Sequence, residues 1–391
     1  GVNHMHSGGI VEYAATLLLI AQIVLVRRWL RGKSLAVWIA LIAIWSVSGV
    51  AIVMEWTGAL YGMRSVPMVL RVGLTMTGYI WLFLTSLATA IFLAGRYLLR
   101  RFPIDHSPAR RTALSAAGTI AIAAPATVVG FGAFIERNDY GVTELDFPVP
   151  GLHPDLDGYR IMQVSDLHVS PFLSVRQMAR VIDMANEARP DLSVFTGDLI
   201  TAPGDPLNAA IRELVRLRAP DGVLGCMGNH EAYVGCRNYL ERHARPGGVD
   251  FLRMRSSQVA RGQGVLNIVG VDYQKNEHRD TYLAGTDKLI VPGAANLLLS
   301  HNPDVFPAAV RLGFHGVLAG HTHGGQINVE ILHQNINPAR FRTPFTKGLY
   351  RWGLAGAAPG TCYVTTGVGT IGMPIRLGAP PEIALLRLRR V

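Results

Sequence analysis

The distribution of hydrophobic residues divides the sequence near residue 137. Before this point, four long apolar runs cover residues 10–26, 35–54, 72–95 and 112–135, and the last three contain no charged residue. A helix needs about 20 apolar residues to cross a hydrocarbon core of about 30 Å. The pattern therefore predicts that residues 1–137 form a membrane domain, an all-α bundle of about four transmembrane helices.

The basic residues between these runs predict an orientation. Four follow the first run, and five separate the third from the fourth: Arg27, Arg28, Arg31 and Lys33, and Arg96, Arg100, Arg101, Arg110 and Arg111. The link between the second and third runs contains two, Arg64 and Arg71. Because cytoplasmic loops are enriched in Lys and Arg, we expect an integral protein of a bacterial inner membrane. Its residues 138–391 would then lie in the periplasm or outside the cell.

The fourth run has an alternative interpretation as an export signal. Arg110 and Arg111 precede a stretch of small apolar residues, 112–126, as in a twin-arginine signal. Residues 124–126, Ala-Pro-Ala, could serve as a cleavage site. Cleavage would release the C-terminal domain, whereas an uncleaved segment would anchor it. Both routes export the domain.

The net charge is concentrated in the N-terminal third. The chain has 37 Lys and Arg against 27 Asp and Glu, a formal net charge of +10. Residues 1–137 contain 12 basic and 4 acidic residues, whereas residues 138–391 contain 25 and 23. The excess lies between apolar runs, where a lipid bilayer explains it better than nucleic acid does. We therefore expect a bilayer and no nucleic acid among the partners, and the oligomeric state stays open.

The C-terminal part, residues 138–391, alternates short apolar runs with amphipathic stretches. Strands are predicted at 160–165, 191–196, 222–227, 264–271, 296–300, 317–319, 326–332, 362–366 and 383–388. Helices are predicted at 174–188, 206–217 and 303–312. Alternating strands and helices indicate an α/β layer structure, and the late strands without helices indicate a mixed sheet or a sandwich.

Polar residues follow five of these strands. They are Asp166 and His168, Asp198, Asn229 with His230 and Glu231, His301, and His321 and His323 with Gln326. Functional sites of α/β sheets form at the carboxyl ends of strands. Mixed carboxylate and imidazole ligands suit manganese, with zinc or iron as alternatives. Two aspartates, one asparagine and four histidines besides His230 exceed the needs of one tetrahedral zinc, so we expect two divalent metal ions.

Five motifs in this order resemble the signature of the calcineurin-like metallophosphoesterases. They are Asp166-x-His168, Gly197-Asp198, Gly228-Asn229-His230-Glu231, His301 and Gly320-His321-x-His323. The resemblance spans about residues 142–391, and residues 374–383 resemble the ending of the membrane-anchored bacterial branch. It implies a metallophosphoesterase-type domain at 138–391, a four-layer α/β/β/α sandwich of two mixed sheets.

The resemblance also implies a role for each site residue. The first metal is held by Asp166, His168 and His323, the second by Asn229, His301 and His321, and both by Asp198. A hydroxide between the metals attacks phosphorus, and His230 acts as leaving-group acid or stabilises the transition state. Glu231 would orient His230 through a hydrogen bond or be solvated. Gln326 would contact a substrate phosphate or cap a turn. No organic cofactor is implied.

The motifs define a reaction class but not a substrate. They predict a phosphohydrolase that cleaves a phosphate ester or a diphosphate bond, and the predicted anchor favours a phosphorylated lipid or another small molecule of the cell envelope. One alternative is a UDP-2,3-diacylglucosamine pyrophosphatase of lipid A synthesis, although that substrate is made in the cytoplasm. A second alternative is a metal-binding sensor or scaffold without catalysis. Preference among monoesters, diesters and diphosphates stays open.

Overall fold

A computed structural model describes residues 130–275, 281–331, 334–356, 358–372 and 374–391, together with isolated positions between 16 and 128. The chain divides into two compact units, Gly1–Phe131 and Gly132–Val391. The fold of the second unit is the one that positions the site. The domain boundary at residue 137 stays a prediction.

The structure does not support the predicted transmembrane bundle. Among the described residues, no helix combines the length and the apolar character that a bilayer crossing demands. The predicted runs at 10–26, 35–54, 72–95 and 112–135 fall largely outside the described residues. A crossing needs about 20 residues in one continuous helix, a condition that apolar composition alone does not guarantee. The predicted integral-membrane localisation, and the periplasmic or extracellular placement of the catalytic domain derived from it, are therefore not supported.

Fourteen strands form within the described ranges. In chain order they are β1 (Gly141–Val149), β2 (Arg160–Val164), β3 (Leu192–Phe195), β4 (Val223–Gly225), β5 (Val249–Phe251), β6 (Arg255–Arg261), β7 (Gly264–Gly270), β8 (Ala295–Leu299), β9 (Gly316–Ala319), β10 (Val329–Ile331), β11 (Gln334–Ile336), β12 (Gly348–Trp352), β13 (Gly360–Val364) and β14 (Glu382–Arg390). β1 lies within residues 136–158, where the sequence predicts a linker and an entry strand. β5, β6, β11 and β12 have no counterpart among the predicted strands.

The α-helices of the second unit are α1 (Val175–Glu187), α2 (Leu207–Leu214), α3 (Asn229–Val234), α4 (Arg237–Ala244) and α5 (Phe306–Leu312). Single turns of 3₁₀ helix lie at Glu136–Asn138, Pro154–Leu156, Arg245–Gly247, Thr286–Leu289, Pro303–Val305, His323–Gly325 and Pro338–Phe341, and a π-helical turn at Phe131–Ile135. Ser174 caps α1 in a capping box with Gln177, which satisfies amide groups that have no partner within the helix.

The strands form two six-stranded sheets and one hairpin. The first sheet has the order β1-β14-β2-β3-β4-β5, the second has the order β12-β13-β9-β8-β7-β6, and β10 pairs with β11. β2 to β5 run parallel, as do β7, β8, β9 and β13. Antiparallel pairs, such as β14 with β2 and β6 with β7, make both sheets mixed.

Three hydrophobic cores define the layers. Met162 of the first sheet packs with Val181 of α1 in one core, and Leu192 packs with Leu297 of the second sheet in another. A third core joins the second sheet to Phe306 of α5. Because side chains alternate between the two faces of a strand, each sheet contributes to two cores. The order of layers is helix, sheet, sheet, helix. The two mixed sheets are the part of the fold prediction that the structure supports.

Candidate metal centre

The first ligand cluster joins the ends of two strands from different sheets. Asp166 and His168 follow β2, and His323 follows β9. Nε2 of His323 lies 3.1 Å from Nε2 of His168 and 3.4 Å from Oδ1 of Asp166. All three side chains are buried. Among the described residues they form one of three groups in which the candidate ligand atoms lie within 4.8 Å of one another.

The second cluster is centred on Nε2 of His301, which follows β8. This atom lies 3.1 Å from Oδ2 of Asp198, 3.0 Å from Oδ1 of Asn229 and 3.2 Å from Nδ1 of His321. Nδ1 of His301 is 2.7 Å from the carbonyl oxygen of Thr196. Since a carbonyl only accepts hydrogen bonds, Nδ1 carries the proton in the neutral ring, and Nε2 offers its lone pair to the cluster.

Asp198 lies between the two clusters. Its Oδ2 atom is 3.5 Å from Nε2 of His168 in the first cluster and 3.1 Å from Nε2 of His301 in the second. Its Oδ1 atom accepts a hydrogen bond of 2.9 Å from the amide of His230. A Cβ atom at Gly228 would lie 2.1 Å from Oδ1, so only glycine fits beside this carboxylate.

The donor set fits two divalent ions. Nitrogen and oxygen atoms that can donate electron pairs face one another at 3.0–3.5 Å in both clusters. Ligands bonded to one ion at about 2.1 Å are separated by about 3.0–3.4 Å. Carboxylate, amide and imidazole ligands together suit Mn²⁺, Zn²⁺ or Fe²⁺. The seven predicted ligands are therefore brought together in an arrangement that matches a pair of ions.

Backbone conformation distinguishes the ligand-bearing turns. Nine non-glycine residues with positive φ occur among the described residues, and five of them are predicted ligands: Asp166, His168, Asp198, His321 and His323. Such left-handed conformations cost about 1–3 kcal/mol each and cluster at functional sites. The fold therefore holds these turns in conformations that they would not adopt alone.

Burial and neighbouring charges shift the pKa values within the clusters. Burial lowers the pKa of His168 and of His321 to about 3. Burial also acts to lower the pKa of His301, but the charges of Asp198 and Asp166 outweigh it and raise that pKa to about 10. The pKa of Asp198 is held well below its usual value because His301 outweighs the effect of burial. In the absence of ions, Asp198 and His301 thus form an ion pair beside neutral imidazoles.

His230 is the second residue of α3 and adjoins the first cluster. A ring nitrogen of His230 lies within 4.8 Å of the candidate ligand atoms of His168 and Asp198. The rings of His230 and His168 are 4.7 Å apart and perpendicular. The imidazole of His230 therefore lies beside the clusters but is not needed as a ligand. This position is consistent with the predicted role as an acid.

Glu231 contacts the backbone instead of the ring of His230. Its carboxylate accepts hydrogen bonds from the amides of Gly228 at 2.7 Å, Asp198 at 3.0 Å and Leu199 at 2.7 Å. The side chain is fully buried. This arrangement differs from both sequence interpretations, a hydrogen bond to His230 and a solvated carboxylate. Glu231 fixes the backbone on either side of Asp198, the predicted shared ligand.

Gln326 ties two loops together. It is buried, and its Oε1 atom accepts a hydrogen bond from the amide of Ile371. Its carbonyl oxygen accepts a second one, of 2.8 Å, from the amide of Leu377. These contacts link the turn that bears His323 to the loop before β14. The predicted contact of Gln326 with a substrate phosphate stays a prediction.

Two aromatic residues near the predicted ligands were not predicted from the sequence. The ring of Tyr273 lies 5.6 Å from that of His321, and the ring of Tyr233 lies 5.7 Å from that of His230. The two tyrosine rings are 6.5 Å apart. Tyr273 comes shortly after β7, which runs parallel to β8. Its position after a strand end was the feature of the sequence that could have identified it as a site residue.

Comparison with known proteins identifies the family. The profile of the calcineurin-like phosphoesterases matches residues 159–325. An uncharacterized metallophosphoesterase of Aquifex aeolicus is 31% identical over 244 residues, covering 59% of this chain and 85% of the relative. The uncharacterized metallophosphoesterase YkuE of Bacillus subtilis is 29% identical over 266 residues, covering 66% and 89%.

A third relative has a more specific name. The phosphodiesterase YaeI of Escherichia coli is 27% identical over 236 residues, covering 59% of this chain and 82% of the relative. The membrane-anchored bacterial branch is not confirmed by these matches. The ligand geometry and the similarities agree on the reaction class. The chain belongs to the calcineurin-like metallophosphoesterase family and is a metal-dependent phosphoesterase.

Proposed function

We propose that the chain hydrolyses a phosphate ester or a diphosphate bond at two divalent ions, the first at Asp166, His168 and His323 and the second at Asn229, His301 and His321. The position of the Asp198 carboxylate between the clusters is the main support, because one shared carboxylate holds two ions close together. Two such ions polarise the phosphoryl oxygens and lower the pKa of water toward neutrality. Manganese is the proposed metal, with zinc or iron as alternatives.

His230 is the proposed acid for the leaving group. Its Nδ1 atom lies 2.6 Å from the carbonyl oxygen of Thr201, so Nδ1 donates to that carbonyl. Nε2 is then the ring atom that can pass a proton to the departing oxygen. Proton transfer from a positioned imidazole contributes about 10²–10⁴-fold to a rate. The backbone amide of His230 also donates to Asp198. This hydrogen bond fixes the position of the proposed acid relative to the proposed shared ligand.

We further propose a phosphorylated lipid, or another amphiphilic phosphoester, as the substrate. Tyr233, beside His230, is 66% exposed. Phe341 is 94% exposed on the 3₁₀ turn that precedes Arg342, and the charge of Arg342 contributes to the lowered pKa of His321. An exposed ring and a cation beside the site, with a second exposed ring on the turn that precedes the cation, suit a substrate with an anionic head and an apolar body.

The test uses the full-length chain loaded with Mn²⁺ and, in parallel, with Zn²⁺. The substrates are p-nitrophenyl phosphate, bis(p-nitrophenyl) phosphate, UDP-2,3-diacylglucosamine, and a phospholipid in mixed micelles beside its deacylated headgroup ester. Asp198→Ala is the inactive control. We expect metal-dependent turnover that favours the acylated lipid over its deacylated counterpart.

The other outcomes either contradict a part of the proposal or select among its substrates. Equal rates for the acylated and deacylated esters would reject the amphiphilic substrate. Preferential cleavage of UDP-2,3-diacylglucosamine would instead identify the pyrophosphatase alternative. Two bound ions without turnover of any substrate would support the sensor or scaffold alternative.

A further inference from the structure

Arg376 is a fully buried cation whose hydrogen-bond acceptors are backbone carbonyls of its own loop. Nε donates to Gly369 at 3.1 Å, Nη1 to Ala379 at 2.8 Å, and Nη2 to Thr366 at 2.9 Å and Gly367 at 3.1 Å. Burying a charge is expensive unless hydrogen bonds compensate for the lost water. Here the guanidinium uses its donors to close the loop between β13 and β14 around itself.

The closed loop lies directly against the turn that bears two predicted ligands. The amide of Gly369 donates to the carbonyl oxygen of Asp166 at 2.7 Å, and the amide of Val368 donates to that of Ser165 at 3.2 Å. A Cβ atom at Gly369 would lie 2.2 Å from the carbonyl oxygen of Leu167. The approach is so close that no side chain fits between the loop and the turn.

One peptide unit connects the cation to this turn. The carbonyl group of Gly367 accepts from Arg376, and the amide of the same peptide unit, that of Val368, donates to Ser165. Because a peptide unit is planar, the hydrogen bond that holds the carbonyl group of Gly367 also sets the direction of the Val368 N–H. The turn needs such support, because Asp166 and His168 both have positive φ, a conformation that persists where surrounding structure enforces it.

We propose that Arg376 is a positioning residue for the first ion, acting through the loop to hold Asp166 and His168 in place. The inference rests on the proposed function, since it presupposes two bound ions. Loss of groups that orient metal ligands lowers metal affinity about 10–100-fold. The second cluster is supported separately, by Thr196 against His301. Replacement of Arg376 should therefore weaken binding of the first ion and leave binding of the second unchanged. A general loss of folding would weaken binding of both.

The first measurement is hydrogen–deuterium exchange of the unaltered full-length chain with and without Mn²⁺. We expect Mn²⁺ to slow exchange in a peptide covering residues 366–372, which includes the amides of Val368 and Gly369. Unchanged exchange there, together with slowed exchange around His301, would overturn the inference. Because no substitution is involved, this result stands even where a variant fails to fold.

The second measurement counts Mn²⁺ bound to Arg376→Gln by isothermal titration. The control is Arg261→Gln, which removes hydrogen bonds to Asp191 and Asp221. These two aspartates precede β3 and β4, at the end of the sheet opposite the predicted ligands. We expect the unaltered chain and the control to bind two ions, and Arg376→Gln to bind one of them at least about tenfold more weakly. Equal affinities in all three would overturn the inference. Fewer than two ions on the unaltered chain would instead contradict the proposed function.

Discussion

Nδ1 of His230 donates a hydrogen bond of 2.6 Å to the carbonyl oxygen of Thr201, 29 residues earlier in the chain. The amide of Thr201 in turn donates to the buried carboxylate of Asp205 at 2.9 Å. The orientation of the proposed acid therefore depends on the loop after β3 as well as on α3. A hydrogen bond at one ring nitrogen determines which nitrogen is left for chemistry.

Replacement of this acid tests its role. His230→Gln should lower kcat about 10²–10⁴-fold while two Mn²⁺ ions remain bound, because the residue is not a predicted ligand. The decrease should be larger for an alkyl ester than for a p-nitrophenyl ester, whose leaving group departs without a proton. Steady-state kinetics with both esters and a metal count provide the measurement. Equal decreases for both esters would contradict the acid role.

Glu231 should contribute to stability through its three backbone partners. In Glu231→Ala the amides of Gly228, Asp198 and Leu199 lose a buried acceptor. A buried donor left without its acceptor costs about 1–3 kcal/mol, so with three such amides we expect the free energy of unfolding to fall by about 3 kcal/mol or more. Urea denaturation at pH 7 measures it, with Glu187→Ala at the exposed end of α1 as the control. A decrease no larger than that of the control would contradict the structure.

Acid should destabilise the metal-free protein partly through His321. Its pKa is about 3 in the folded chain and about 6.5 when unfolded. Between these values the unfolded state binds a proton that the folded state does not. Stability is therefore lost as the pH falls below 6.5, by up to about 1.4 kcal/mol per pH unit. Urea denaturation with EDTA at pH 7.5 and pH 5 should show a smaller loss for His321→Asn than for the unaltered chain.

The control for this pH effect is His243→Asn, whose side chain is exposed on α4. It should keep the pH dependence of the unaltered chain. An unchanged dependence in His321→Asn would show that burial of this imidazole does not govern acid stability.

Tyr233 should affect substrate binding more than turnover. Tyr233→Ala removes an exposed ring beside His230, and aromatic contacts of this kind contribute about 0.5–1.5 kcal/mol. We expect kcat/KM for the acylated substrate to fall about 2–12-fold, mainly through a higher KM. Tyr239→Ala, on α4, is the control and should leave KM unchanged. A change confined to kcat would argue against an apolar contact with the substrate.

Much of the secondary structure of the second unit could be predicted from local sequence patterns. The helix predicted over 174–188 is observed at Val175–Glu187, and the strand predicted over 160–165 is observed at Arg160–Val164. Short elements such as β5 and α4 were missed because three to eight residues carry too little periodicity. The predicted transmembrane bundle is not supported, because no helix among the described residues is long and apolar enough to cross a bilayer, and the four apolar runs lie largely outside those residues.

The sequence by itself determined the chemistry available at the site. Asp166, His168 and Asp198 follow apolar strands, and parallel strands bring their carboxyl ends to one edge regardless of separation along the chain. Only the tertiary structure decided what surrounds these ligands. The loop closed by Arg376 contacts the turn of Asp166, about 200 residues earlier in the chain. Glu231 accepts hydrogen bonds from the backbone of Asp198 and Leu199, a role that its motif does not reveal. The first contact depends on how the two sheets pack, because the loop of Arg376 connects β13 of one sheet to β14 of the other. The second depends on the pairing of β3 with β4, which brings residues far apart in the chain to the same edge of the first sheet.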